Sequence, residues 1–408
     1  MSARLHTRQG PWQPVIQTAQ PIQLVRCCPS PLAKGLVVID MLMAATEHTV
    51  HVHEAQLQAN RATLQFREVA SFFIGCGVVG VAWSPACTFS SADVDEDGMT
   101  SEWKIELIVA TELRELRLLR ALGPDPAEEN VVLCCAPEDI TDVAWCTAAG
   151  YEQYLAAAGL DGTLFLCDLD ATHVRLAGVP LGASLLAVAF HAKLPKLLLA
   201  VDASGVSRLV DWLAAIAAPD DACVALSFSD APTLARYTAH ATLATGAGAW
   251  QPQDADVVGT LYGTRWGVWN VGGKGSAVPL IHGDVGVYGA AGRGRFRWCP
   301  TNARLFATLT PSVPGGGAVP GAPMLTSVAP VHVFDSAFPT GPRALDANMQ
   351  TPYRAEPVDL DTVGDGDAAA RLSTEEAVSD VDWLSYRVGV YDVLLIAVGR
   401  TVVCVPAS

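Results

Sequence analysis

The sequence predicts an all-β protein, a single seven-bladed β-propeller that spans residues 1–408. An aromatic residue recurs at the end of a short apolar run, at spacings of 62, 45, 60, 48 and 85 residues. A run of small apolar residues and then a run of alternating polarity follow the aromatic, with Asp, Gly, Ser and Thr in the turns. Short alternating strands with such turns are typical of repetitive all-β folds. We therefore expect each repeat to form one sheet of a closed ring.

The apolar run is predicted to be the inner strand of each blade. It reads VVGVAWSP at 78–85, ITDVAWCT at 140–147 and VSDVDWLS at 378–385. We expect the aromatic to fill the gap between adjacent sheets. The seven units begin near residues 22, 78, 140, 185, 244, 294 and 378, and the first of them lacks the aromatic. The repeated aromatics are Trp83, Trp145, Phe190, Trp250, Trp298 and Trp383.

The clearest hairpin is LAAAGL-DGT-LFLCDL, at 155–169, and its turn begins at Asp161 and Gly162. Asp-Gly between alternating apolar runs is a strong hairpin signal, because both residues tolerate the positive φ that such turns need. The alternative is that Asp161 is an acid that takes part in catalysis. The turn signal favours the structural role.

The ends of the third strands indicate the type of propeller. In WD40-type blades this strand ends in Trp-Asp, and small residues in the strand before it let adjacent blades pack face to face. Here the ending is degenerate and the Gly-His dipeptide is missing, but the series of seven units still indicates the WD40 type. The degenerate endings are Cys167-Asp168, Asp211-Trp212, Trp269-Asn270 and Phe334-Asp335.

Ring closure and loop insertions complete the predicted architecture. The last unit supplies three strands, and the N-terminal segment near 12–19 is expected to supply the fourth. Joining the two termini in one sheet removes open sheet edges, which otherwise promote aggregation. Loop insertions are expected near 86–104, 213–225, 311–330 and 337–377, the second of them partly helical.

Composition excludes several classes of function. The formal charge of −16 argues against direct nucleic-acid binding, which needs clustered Lys and Arg. The longest uncharged apolar stretch, 176–192, contains Pro180 and is too short for a transmembrane segment. The eleven cysteines are scattered, mostly within apolar runs, without a C-x-x-C motif. Reduced cysteines of this kind favour the cytosol or nucleus.

Three motifs resemble ligand sites but fit them poorly. DVDEDG at 93–98 starts like a calcium loop, but Lys104 stands where the bidentate Glu belongs, and 359–367 fails similarly. GGKGS at 272–276 lacks the spacing of a phosphate loop. His48, His51 and His53 place two imidazoles on one face of a strand, a weak zinc signal without further ligands. We therefore predict no catalytic residues, no cofactor and no metal.

Several stretches, taken in order, resemble the nucleoporin-thirty-seven family of WD-repeat proteins. The most specific is FRWCPTNARLFATLT at 296–310; the others include GVVGVAWSP at 77–85, GLDGTLFLCDL at 159–169 and LLIAVGRTVVCV at 394–405. The resemblance runs over residues 20–405. Members of this family belong to the Y-shaped outer-ring complex of the nuclear pore.

The resemblance implies a non-enzymatic scaffold subunit of the Y-complex, located in the nuclear envelope at the nuclear pore complex. Its implied partners are a large scaffold nucleoporin and other Y-complex subunits, and its implied role is pore assembly and nucleocytoplasmic transport, including that of mRNA. The alternative is a WD40 adaptor of another assembly, of the methyltransferase-cofactor or ubiquitin-ligase-receptor type, since one fold serves many functions. No motif identifies partner-binding residues.

Overall fold

The computed structural model describes residues 14–18, 20–29, 35–41, 48–57, 64–88, 103–123, 128–170, 175–218, 224–230, 245–273, 277–284, 294–310, 331–336, 378–387 and 391–406. Within these ranges the chain forms seven antiparallel sheets, six of four strands and one of three. The innermost strand of each sheet contacts the innermost strands of both neighbouring sheets, so the seven sheets form a closed ring. The predicted all-β, seven-bladed propeller is confirmed.

The first four blades follow one another along the chain. Blade 1 has β2 (Ile22–Cys27), β3 (Gly35–Met41), β4 (His48–Leu57) and β5 (Leu64–Phe73). Blade 2 has β6 (Val78–Trp83), β7 (Lys104–Thr111), β8 (Glu115–Leu122) and β9 (Glu129–Cys135). Blade 3 has β10 (Ile140–Trp145), β11 (Tyr154–Gly159), β12 (Thr163–Asp168) and β13 (Arg175–Pro180). Blade 4 has β14 (Leu185–Phe190), β15 (Leu197–Asp202), β16 (Val206–Asp211) and β17 (Val224–Ser229), with helix α1 (Trp212–Ala217) between the last two.

The remaining blades complete the ring. Blade 5 has β18 (Gly246–Trp250), β19 (Val257–Tyr262), β20 (Arg265–Asn270) and β21 (Val278–Asp284). Blade 6 has β22 (Arg295–Trp298), β23 (Leu305–Leu309) and β24 (Val331–Asp335). Blade 7 has β25 (Val378–Trp383), β26 (Val393–Val398), β27 (Thr401–Pro406) and the N-terminal β1 (Pro14–Gln17).

The seam of the ring lies in blade 7, where the two ends of the chain share one sheet. β1 pairs with β27 in an antiparallel register that places Ile16 opposite Val402. The pairing continues past the strands, because Thr18 N donates to Arg400 O at 2.9 Å and Ile22 N donates to Gly399 O at 2.6 Å. β1 thus becomes the outer strand of blade 7 and pairs with the edge of β27 that would otherwise be open.

The hydrophobic core lies between the blades. Among the described residues, buried side chains form seven clusters, and each cluster joins two adjacent blades. Small residues allow the blades to approach closely: a Cβ added at Gly259 of blade 5 would lie 2.0 Å from Cε1 of Phe296 in blade 6. The small-residue strands seen in the sequence are therefore packing surfaces.

Two loop predictions can be compared with the structure. The partly helical insertion near 213–225 contains α1, which is capped by Asp211 because its side chain accepts a hydrogen bond from Ala214 N. Trp212 belongs to this helix and is fully buried, whereas the sequence had suggested that it ends the third strand. The insertions at 311–330 and 337–377 and most of 86–104 lie outside the described residues. Within the described part of the chain, no helix is long and apolar enough to cross a membrane.

Candidate functional site

The repeated aromatics occupy equivalent positions, each being the last residue of an inner strand. Five of the six are buried, and Trp250 is half-buried. Four of the indole N–H groups donate to a carbonyl of the preceding blade's inner strand, over 3.0–3.2 Å. The pairs are Trp83 with Arg26, Trp250 with Ala189, Trp298 with Ala249, and Trp383 with Arg297. These aromatics hydrogen-bond adjacent blades together, a role that their apolar character alone does not reveal.

Blades 3 and 4 depart from this arrangement. The Trp145 indole donates within its own blade, to Glu152 O at 2.6 Å. Phe190 has no donor and instead packs edge-on against Trp212, with ring centroids 5.4 Å apart. Helix α1 therefore provides aromatic packing where the indole bond is missing.

Replacing Trp298 with phenylalanine tests the hydrogen bond separately from the packing. The variant keeps an aromatic ring but loses the donor to Ala249 O, so we expect it to lower the free energy of unfolding by about 1–2 kcal/mol. Trp298→Leu removes the ring as well and should lower it by about 3 kcal/mol or more. Urea unfolding of both variants measures the two effects, and wild-type stability for Trp298→Phe would contradict the interblade role.

Asp161 and Gly162 form the turn between β11 and β12. Oδ1 of Asp161 accepts from Thr163 N at 2.9 Å and Oδ2 accepts from Thr163 Oγ1 at 2.7 Å, while Gly162 has φ of +88°. The carboxylate stabilises the turn from which it projects. This geometry gives Asp161 a structural role.

The histidines of β4 are not gathered into a metal site. Nδ1 of His51 lies 3.0 Å from Oε2 of Glu68, and the rings of His51 and His53 are 6.4 Å apart. No cluster of three or more potential metal ligands occurs among the described residues. The side chain of His48, the acidic stretches 93–98 and 359–367, and residues 274–276 lie outside them.

His53 makes stability depend on pH. Burial lowers the pKa of its imidazole to about 4, against about 6.5 in the unfolded chain. Below pH 6.5 the unfolded state therefore binds the proton more readily, and the native state loses stability until the pH reaches about 4, by about 3 kcal/mol in all. We expect His53→Phe to flatten the stability profile between pH 4 and 6.5, as measured by urea unfolding. The same substitution at the exposed His282 is the control, and an unchanged profile for His53→Phe would contradict the assignment.

The next-to-last residue of each inner strand is the candidate for lining the central channel of the propeller. This residue is half-buried in all seven blades, whereas the residue before it is always buried. Because the inner strands surround the axis of the propeller, we place the exposed part of these side chains at the channel. The four alanines among them also pack against the clusters between blades. We call the seven residues the channel ring: Arg26, Ala82, Ala144, Ala189, Ala249, Arg297 and Asp382.

The charged part of the channel centres on Asp380. This residue is fully buried in β25, and its carboxylate accepts from Arg26 of blade 1 and, at 2.8 Å, from Nε of Arg295 in blade 6. It also accepts from Val25 N at 3.0 Å. Burial alone would raise the pKa of Asp380, but the charges of the neighbouring arginines hold it below its usual value. Asp380 thus joins blade 7 to both of its neighbours, blades 6 and 1.

Asp142 makes a similar contact elsewhere in the ring. Its carboxylate accepts from Val188 N of the next blade at 3.1 Å. Val188 and Val25 occupy equivalent positions in their strands, so both aspartates satisfy the same otherwise unpaired backbone donor. The sequence contained a signal for this network, namely acids and arginines inside the apolar inner strands VSDVDW and RFRW, but gave no means of pairing them.

A cleft of about 310 Å³ lies between blades 4 and 5. Its lining mixes aromatic rings with polar groups, some of which bond to one another. Trp269 Nε1 donates to Thr260 Oγ1 at 2.9 Å, and Arg265 pairs with Asp230 at 2.8 Å. Because the carboxylate of Asp230 is held by an arginine, the arrangement suits apolar packing better than acid–base chemistry.

Several exposed apolar side chains lie on the outer strands of blades. β9 exposes Val131 (48%) and Val132 (44%), and Phe73 (57%) of blade 1 lies close by, because Asn130 Nδ2 donates to Phe73 O at 2.9 Å. Val131 and Val132 are consecutive in β9 and therefore point to opposite sides of that strand. We call these two residues and Phe73, all on the outer strands of two adjacent blades, the blade 1–2 patch. β21 similarly exposes Val278 and Leu280. Apolar groups exposed together on a surface mark candidate protein-binding sites.

Comparison with known proteins supports the fold. No protein-family profile matches the sequence, and no curated protein sequence matches it. Among solved structures, it is similar to the crystal structure of Sqt1 from Chaetomium thermophilum, a WD40 β-propeller protein, with a TM-score of 0.53 and 11% sequence identity. The alignment covers 95% of this chain and 82% of that one. At this identity the similarity shows the fold alone: the chain is a WD40-type β-propeller.

Proposed function

We propose that this protein is a non-enzymatic scaffold subunit that docks on a larger protein through the outer surface of its propeller. The observation that carries the proposal is the blade 1–2 patch, whose three apolar side chains are each more than 40% exposed on the outer strands β5 and β9. The outer edge of a sheet also offers backbone groups to an extended partner segment. A closed ring with its core between the blades gives such a surface a rigid support.

The partner that we propose is the large scaffold nucleoporin of the Y-complex, together with other Y-complex subunits. This identification rests on the resemblance along residues 20–405, above all at 296–310, which forms the first two strands of blade 6. The protein would then act at the nuclear pore in the nuclear envelope. The same fold and patch equally suit a WD40 adaptor of another assembly, so the partner decides between the two functions.

Affinity purification of the tagged full chain from its own cells tests the proposal. We expect Y-complex subunits to co-purify, and a fluorescent tag to mark the nuclear rim. The Val131→Lys, Val132→Lys double variant should reduce their recovery about tenfold, as expected when apolar contacts worth about 1.4 kcal/mol or more are lost. Leu160→Lys, at an exposed leucine of the blade 3 turn, is the matched control.

The outcomes separate the two functions. Recovery of subunits of a methyltransferase or ubiquitin-ligase complex instead, with diffuse fluorescence, would replace the nuclear-pore role by the adaptor role. If Y-complex subunits co-purify equally with both variants, the partner is right but the blade 1–2 patch is not the docking surface.

A further inference from the structure

The Nε donor of Arg297 in the channel ring is not used by any residue that the structure describes. Its Nε is buried and has no hydrogen-bond partner among the described residues. The nearest carboxylate oxygen, Oδ1 of Asp382, lies 3.8 Å from Nε, which is too far for a hydrogen bond. A guanidinium has five N–H donors and no acceptor, so an unpaired one in a partly buried position is costly.

The neighbouring carboxylates are already engaged. Asp380 accepts from Arg26 and Arg295, as described above. Asp382 accepts two backbone donors, Cys27 N at 2.9 Å and its own strand's Trp383 N at 3.0 Å. Arg297 is therefore attracted electrostatically to Asp382, but no described residue offers its Nε an acceptor at hydrogen-bonding distance.

The charges around Arg297 explain why an additional acceptor would be favourable. Burial, and then the charges of Arg26 and Arg295, lower the pKa of the Arg297 guanidinium to about 10. Three arginines thus meet two carboxylates on blades 6, 7 and 1. The third carboxylate near the channel, Asp142 of blade 3, is bound to Val188 N.

The rest of the channel ring offers no competing side chain. Blades 2–5 all place alanine at the equivalent position: Ala82, Ala144, Ala189 and Ala249. Methyl groups neither accept hydrogen bonds nor carry charge, and they lower the local polarity, which strengthens any ion pair formed at the arginines. The ring is therefore basic on one side and apolar on the other.

We propose that the channel ring binds a small oxyanion, inorganic phosphate being the probe of choice, between the guanidinium groups of Arg297 and Arg26. Planar guanidinium groups bind phosphate oxygens in pairs, which matches the unused donors of Arg297. The site is local, so the acidic balance of the whole chain does not oppose it. It is independent of the docking function proposed above, which uses the outer surface.

Isothermal titration of the purified 408-residue chain with inorganic phosphate, at constant ionic strength set with sodium chloride, tests the site. We expect saturable binding to one site per chain. Arg297→Met should weaken it about tenfold or more, since hydrogen bonds to a charged group are lost. Arg304→Met is the matched control, because Arg304 is 62% exposed and paired with Asp335 on the surface.

A second variant changes the affinity in the opposite direction. Asp382→Asn keeps the side-chain shape and one acceptor for Cys27 N but removes a negative charge next to Arg297, so phosphate should bind about tenfold more tightly. A variant that merely damages the fold would not tighten binding. Lack of saturable binding to the wild type, or equal affinity in all the variants, would overturn the proposal.

Discussion

Replacing Asp380 with asparagine is expected to lower the free energy of unfolding by about 3–5 kcal/mol, the cost typical of breaking a buried ion pair by removing one partner. The carboxylate is fully buried and holds Arg26 and Arg295 of two other blades. Asparagine preserves the shape but leaves these guanidinium groups without their negative partner. In a chain of 408 residues each kcal/mol shifts the thermal midpoint by on the order of 1 °C, so a drop of several degrees should be measurable by calorimetry.

The pH dependence distinguishes this charge effect from a packing defect. Since the pKa of Asp380 is lowered in the folded state, its stabilising contribution is present above the unfolded value of about 4 and is lost as the pH falls through the folded value. The difference between wild type and Asp380→Asn should therefore shrink below pH 4. Asp335→Asn, which breaks the exposed pair with Arg304, should cost less than about 1 kcal/mol. Equal losses in the two variants would contradict the role of Asp380.

Replacing Gly259 with alanine is expected to destabilise the protein by about 3 kcal/mol, the upper range for overpacking a core. The new Cβ would lie 2.0 Å from Cε1 and 2.2 Å from Cζ of Phe296. That ring cannot move away easily, because it is fully buried and stacks on Phe306 with centroids 4.9 Å apart. Urea unfolding gives the loss directly.

A double-variant cycle shows whether the contact with Phe296 is the cause. Phe296→Leu removes the atoms that clash, so the double variant should be more stable than the sum of the two single losses by about 1–3 kcal/mol. Gly178→Ala is the matched control, because the atom nearest to its new Cβ would be the Thr163 methyl group, at 3.1 Å. This variant should cost less than about 1 kcal/mol, as is typical of strand substitutions. Additive losses would show that Gly259 is needed for another reason.

The sequence predicted the blades better than it predicted the side-chain contacts between them. The six aromatics located the inner strands because a repeated apolar run is a local pattern. The contacts that join blades are not local: Arg26 and Asp380 are 354 positions apart, and Arg295 and Asp380 are 85 apart. A single sequence gives no means of pairing residues over such distances.

Side-chain roles within the repeat were also only partly predictable. Trp212 looked like the end of a strand because it follows Asp211 in a degenerate Trp-Asp position. In the structure it begins a helix, in which its ring packs against Phe190 and Tyr154. Tertiary packing, which the local sequence pattern does not show, therefore accounts for the helix at this position. The blade 1–2 patch likewise could not be located from the sequence, because the apolar run of β9 does not reveal that Val131 and Val132 are exposed on an outer strand.

The pairing of β1 with β27 has a consequence for biosynthesis. Thr18 leaves the ribosome 382 residues before Arg400, its partner at the seam. At about 5–20 residues per second this interval lasts on the order of tens of seconds. During that time the blades translated earlier can form their own sheets, while β1 still lacks its partner strand, β27. The nascent protein must therefore be kept from aggregating at one unpaired strand until β27 has been translated.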